Sequence, residues 1–150
     1  MAVNVRLQMA VFDPGKESNA FIKATNEDGS AGAAITFTGL VRSSPEKPII
    51  SLTLEHYPPV AEAQLRRFAQ SALERFDLLA IAIIHRFGEM KPGEPIVQVM
   101  TLASHRHAAF AGAEFVMDFL KTDAPFWKKG LSASWVAAKS HDETARKRWQ

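Results

Sequence analysis

Apolar residues occupy every second position from Val3 to Val11, with Asn4, Arg6 and Gln8 between them. A period of two belongs to a strand with one buried face, so the spacing predicts a strand here. Asp13-Pro14-Gly15 reads as a turn, and Ser18 to Asn26 as a short helix with Ala20, Phe21 and Ala24 along one side. Alternation returns from Ala33 to Val41, with Ile35, Phe37 and Val41 facing one way and Thr36 and Thr38 the other. This second strand ends at Arg42. The polar stretch Ser43 to Pro48 carries two prolines and predicts a mobile connection between strands, after which Ile50, Leu52 and Leu54 give a third strand.

Pro58-Pro59 cannot continue a strand, but proline suits the first turn of a helix. Val60, Ala61, Leu65, Phe68, Ala69, Ala72, Leu73 and Phe76 follow at helical spacing, which predicts a helix from Pro59 to Phe76. Leu79 to His85 and Ile96 to Ala103 are short apolar runs, and Gly88 to Gly93 between them reads as a hairpin loop. Ser104 stands where a helix cap belongs, ahead of an apolar stripe from Ala109 to Leu120, and Pro125 stops that helix. Leu131 to Val136 reads as a last strand and Asp142 to Trp149 as a basic helical tail. Short links between strands favour antiparallel pairing, so the class expected is α+β, in one domain of residues 1–150.

Composition narrows the chemistry. Of 150 residues 47% are hydrophobic and 23% charged, the balance of a globular chain and not of a disordered one. There is no cysteine, which excludes disulfides, Cys-ligated zinc and a thiolate nucleophile within the chain. Any sulfur it handled would have to come on another molecule. No apolar run matches a signal peptide or a membrane span, which points to the cytoplasm. A net charge of +2 is weak support for a nucleic-acid partner, and Arg146-Lys147-Arg148-Trp149 reads better as a solvated helix end.

Arg42 ends a strand beside the polar loop, a position from which a guanidinium reaches an anion bidentately. His105 and Arg106 fall in the first turn of the second long helix, where free N–H groups and the positive end of the dipole attract phosphate or carboxylate. Two cations there oppose the dipole, and a bound anion would remove the conflict. His107 is too close to His105 along a helix to share a metal with it, and no metal site is expected. Lys121 falls in a last helical turn, where the dipole alone accounts for a cation. Lys128 and Lys129 follow Ala124-Pro125-Phe126-Trp127, and a lysine desolvated beside such apolar surface is a candidate acid, base or nucleophile.

Five blocks then carry a resemblance. Gly39-Leu40-Val41-Arg42, Leu52 to Pro58, Ile84-His85-Arg86-Phe87-Gly88, Ser104-His105-Arg106 and Leu120 to Lys129 occur in the order found in catalytic subunits of molybdopterin synthase, and the chain resembles that family over most of its length. The resemblance implies an α/β-hammerhead fold and a homodimer with a small ubiquitin-like sulfur carrier at each far end, a heterotetramer. It implies sulfur transfer from the carrier's Gly-Gly thiocarboxylate to cyclic pyranopterin monophosphate, giving the dithiolene of molybdopterin. No resident cofactor is implied. By motif, Leu40, Val41, Arg42, His105, Arg106, Lys121, Lys128, Lys129, Gly130 and Lys139 become substrate-site positions, with Lys121 the first choice for the catalytic lysine and Lys128 the second. Gly130 departs from the family, which usually has a glutamate there. The alternative is a non-catalytic relative that binds the carrier or a small anion.

His105 and Lys121 are 16 positions apart on one expected helix, so their backbones would be about 24 Å apart. Either the substrate stretches between them, or one chain's Lys121 meets a neighbouring chain's His105 and Arg106. The second is the favoured expectation.

Overall fold

The computed structural model describes residues 2–56, 58–122 and 126–130. Its elements run β1 (Val3–Gln8), α1 (Pro14–Thr25), β2 (Ala33–Leu40), β3 (Leu52–His56), α2 (Pro58–Arg75), β4 (Ala80–Arg86), β5 (Gly88–Met90), β6 (Pro95–Ala103), α3 (Arg106–Thr122) and β7 (Phe126–Gly130). One sheet has the order β1-β4-β6-β2 and a smaller one the order β5-β3-β7. Only the β1–β4 pair is parallel among these ladders. The class is α+β, as the spacing predicts.

All seven residues of β4 are buried. Ile81 and Ile83 join Leu65, Phe68, Val99 and Val116 beneath α2 and α3. Ala80, Ala82 and Ile84 turn the other way, to Phe12, Phe21 and Met100 beneath α1. A strand covered on both faces reads as an unbroken apolar run, which is why Leu79 to His85 shows no alternation. Between the two long helices, Phe68 meets Phe119 and Phe76 meets Phe115, ring centroids 5.6 Å and 5.5 Å apart. These pairings run in opposite senses along the chain, so α2 and α3 are antiparallel and the start of α2 lies beside the end of α3.

Several boundaries differ from the expected ones. β1 stops at Gln8, leaving Met9 and Val11 exposed, because the Met9 carbonyl is taken by the Arg86 guanidinium and not by a ladder. Asp13-Pro14-Gly15 is not a free turn but the start of α1: the Asp13 carboxylate accepts from the N–H groups of Gly15 and Lys16, and Pro14 takes the first helical position. β3 begins at Leu52, with Ile50 outside it and exposed. Phe37 is exposed, whereas Ile35 on the same strand packs against the core beneath α2 and α3.

The expected hairpin loop from Gly88 to Gly93 is in its first half strand β5, with Leu52 opposite Met90 and Leu54 opposite Gly88. Three residues were too few to show a period. β7 was not foreseen at all. The expected strand Leu131 to Val136 and the tail helix from Asp142 lie outside the described residues. Among the described residues no helix is long and apolar enough to cross a membrane.

Candidate active site

The register of β2 slips between Gly39 and Leu40, and the chain turns toward the smaller sheet. Val41 makes the joint. Its N–H donates to the Glu94 carbonyl and its carbonyl accepts from the Gly93 N–H, both at 2.8 Å. Its side chain, 3% exposed, packs with Leu52, Leu54 and Met90. Leu40 and Arg42 on either side of it are exposed. Glu94 is held in turn: its carboxylate accepts from the Lys91 N–H at 2.9 Å and pairs with Arg86 at 3.5 Å. The Lys91 amide first, and then the Arg86 guanidinium, keep this carboxyl below its usual range. Arg86, 3% exposed, donates twice to the Met9 carbonyl and once to that of Pro95.

α3 begins just after β6 and packs on β6 and β2, so it runs back along them to the end where β2 leaves the sheet. Lys121, exposed in its last turn, therefore comes to the Arg42 end of the molecule. β7 follows and pairs with β3, setting Lys128 opposite Leu54, Lys129 opposite Thr53 and Gly130 opposite Leu52. Leu52 and Leu54 are the residues that hold Val41. The exit of β2, the end of α3 and strand β7 thus converge.

His105 and Arg106 lie elsewhere. In the β2–β6 register Leu40 is opposite Pro95 while Ala33 is opposite Ala103, so the turn into α3 sits beside the first residue of β2. Arg42 and the His105 turn are roughly 23 Å apart or more along an eight-residue strand. The helix starts at Arg106, so His105 precedes it, and Ser104 is not the cap that the spacing suggested. Gly32 lies so close to the Ser104 carbonyl that a Cβ there would come within 2.3 Å of it. The first turn of α3 has no acidic residue, whereas α1 has Asp13 as cap and Glu17 behind it. His105 and Arg106 are exposed and have no ion-pair partner among the described residues. A helix start with free N–H groups and two basic side chains is suited to an anion.

Residues 8–123 match the model of a family described as "MoaE protein". This chain belongs to the MoaE family. It is 49% identical to the molybdopterin synthase catalytic subunit of Rhizobium meliloti, over 98% of this chain and 96% of that protein. Its fold is similar to that of the molybdopterin cofactor biosynthesis protein E of Burkholderia multivorans, with a TM-score of 0.79 and 39% identity over 99% of this chain and 97% of that one. Molybdopterin synthase of Staphylococcus aureus is also similar, with a TM-score of 0.74 and 25% identity over 85% and 90% of the two chains. The chain is an enzyme of this family.

In this MoaE-family chain, the expected site residues fall into two groups. Leu40, Arg42, Lys121 and the strand of Lys128, Lys129 and Gly130 gather at one end, and His105 and Arg106 stand at the other. Lys139 lies outside the described residues. Among the described residues no three His, Asp or Glu side chains gather as metal ligands, and buried His85 bonds through Nδ1 to the Arg86 carbonyl at 2.9 Å. Sequence reasoning missed the part played by Arg86, Glu94 and Gly32. The one available signal was an arginine closing the apolar run of β4, since a charge there must be paired on folding.

Proposed function

We propose that this chain is the sulfur-transferring subunit of a molybdopterin synthase, acting on cyclic pyranopterin monophosphate, with one site built from two chains. The convergence of Arg42, Lys121 and the Lys128 strand at one end of a MoaE-family chain carries the reading. A phosphorylated pterin is an anion, and so is the thiocarboxylate tail of a sulfur carrier. A cluster of cations at the edge of a smaller sheet attracts both. Lys121 acts at the carrier's terminal carbonyl, with Lys128 as the second choice for that role. Each sulfur comes from one carrier, whose acyl carbon ends as a carboxylate with oxygen from water.

His105 and Arg106 complete the pocket from a second copy, where they hold the phosphate at the start of that copy's α3. Within one chain the distance is too great for a small substrate to span. A homodimer with a carrier at each far end follows, a heterotetramer. The reading treats residues 1–150 as one domain and puts the enzyme in the cytoplasm, where thiols stay reduced. Mixing the purified chain with thiocarboxylated carrier and the pterin precursor tests it: dithiolene product is expected, and none with active carrier would overturn it.

A further inference from the structure

β6 turns Val97, Val99, Thr101 and Ala103 toward the core beneath α2 and α3. Three of these are apolar, while Thr101 carries a hydroxyl although it is 0% exposed. Its Oγ1 donates to the Ala109 carbonyl of α3 at 2.7 Å. In a helix that carbonyl already accepts from the N–H four residues on, here that of Ala113, so the hydroxyl fills no gap in α3. Valine has nearly the same shape and no polar group to satisfy, so the core alone gives no reason for a threonine here. The start of α3, by contrast, has little else to fix it. Its first turn has no acidic residue, and the Ala109 N–H reaches the His105 carbonyl at 3.5 Å, whereas the matching bond of α1, from the Glu17 N–H to the Asp13 carbonyl, is 3.0 Å.

We infer that Thr101 is a positioning residue for the substrate's phosphate, its hydroxyl setting the turn of α3 that carries His105 and Arg106. Ala109 follows these two residues by four and three positions, which places it next to both on the helix surface. A bond from the sheet to its carbonyl fixes the rotation and the height of that turn. On the near side the backbone is held by Gly32, whose N–H donates to the Ala103 carbonyl at 3.0 Å and whose Cα lies against the Ser104 carbonyl. The turn is thus pinned before the helix by Gly32 and within it by Thr101. Between the two pins, the free N–H groups and the two exposed basic side chains keep one direction relative to the sheet. Thr101 touches no substrate and acts only through this turn. The inference rests on the reading in which the start of α3 holds the phosphate, and it names what aims that start.

Two substitutions separate aiming from packing. Thr101→Val keeps the shape and removes the hydroxyl, and it leaves no buried group unpaired because the Ala109 carbonyl retains its helical donor. Thr101→Ser keeps the hydroxyl and opens a gap the size of a methyl group. A role in packing alone makes serine the worse replacement in every measurement. Aiming predicts opposite orders: valine at least as stable as serine in thermal melts, but serine better at binding the anion. The full chain, labelled with nitrogen-15, is titrated with inorganic phosphate while the amide resonances of Arg106, His107 and Ala108 are followed. Saturable shifts are expected in the wild type and in Thr101→Ser, with affinity about tenfold weaker in Thr101→Val. With carrier and pterin precursor, Thr101→Val should raise KM by about fivefold to tenfold and keep kcat within about twofold. Wild-type phosphate affinity in Thr101→Val, serine no better than valine, or a valine variant that fails to fold would overturn the role of Thr101 and leave the reading of the phosphate site standing. A wild type whose amides do not respond to phosphate would remove that reading, and the inference with it.

Discussion

The amide of Val41 donates to the carbonyl of Glu94 at 2.8 Å, and that bond ties Arg42 to the buried guanidinium of Arg86. Removing Arg86 leaves the carbonyls of Met9 and Pro95 and the Glu94 carboxylate without it. Arg86→Ala should destabilise the fold by about 3 kcal/mol, the scale seen when one partner of a buried pair is lost. Glu94→Gln keeps an acceptor for the Lys91 amide and should fold well, yet loosen the joint and raise the KM for the pterin more than it lowers kcat. Equal losses in both would show that Glu94 does more than aim Arg42.

Glu94 also sets a pH dependence. Its carboxyl is held below the ordinary 4.5 in the fold, by the Lys91 amide and then by Arg86. Its contribution to stability is therefore complete above that value and is lost as pH falls through the lowered one. The Lys91 amide resonance should titrate with a midpoint below 4.5 in the wild type and stay flat in Glu94→Gln. A midpoint above 4.5 would contradict the pairing.

Gly32 is a close-approach glycine. A methyl group there meets the Ser104 carbonyl, which is backbone and cannot swing aside. Gly32→Ala should push the turn that carries His105 and Arg106 out of place and lower kcat/KM about tenfold or more, a shift of around 1 Å being enough for that. Normal kinetics in a stable Gly32→Ala protein would remove this turn from the site.

Lys121 is exposed in the last turn of α3, where a cation adds only about 0.3–1 kcal/mol. Lys121→Ala should therefore keep its melting temperature and its affinity for the carrier while losing most turnover. Lys128→Ala should lose activity too, with a larger share in KM. Near-normal turnover of Lys121→Ala would take that lysine out of the mechanism.

How much of this the sequence carried depends on the kind of signal. Long periodic stretches such as Pro59 to Phe76 were legible because their stripe repeats over five turns, and the observed α2 differs from it by one residue at each end. The residues of the site were legible through family motifs, and through helix dipole reasoning for His105 and Arg106. Their division into two groups followed in part from helix length, which separates His105 from Lys121. The placement of Arg42 with Lys121 needed the β2–β6 register, which no local pattern encodes. β5 and β7 exist because of β3, a partner distant in sequence. Likewise, Arg86 is explained only by the Met9 carbonyl just after β1, the Pro95 carbonyl of β6 and the Glu94 carboxylate, all brought to it by the fold.

The claim that one site is built from two chains is tested most directly by mixed dimers. Inactive Arg106→Ala chains are combined with inactive Lys121→Ala chains, and turnover with thiocarboxylated carrier is measured after subunit exchange. With a shared pocket, one site of each mixed dimer has both defects and the other has none, so about half of the normal activity per mixed dimer should return. If each pocket belonged to a single chain, every site would keep one defect, and no activity would reappear.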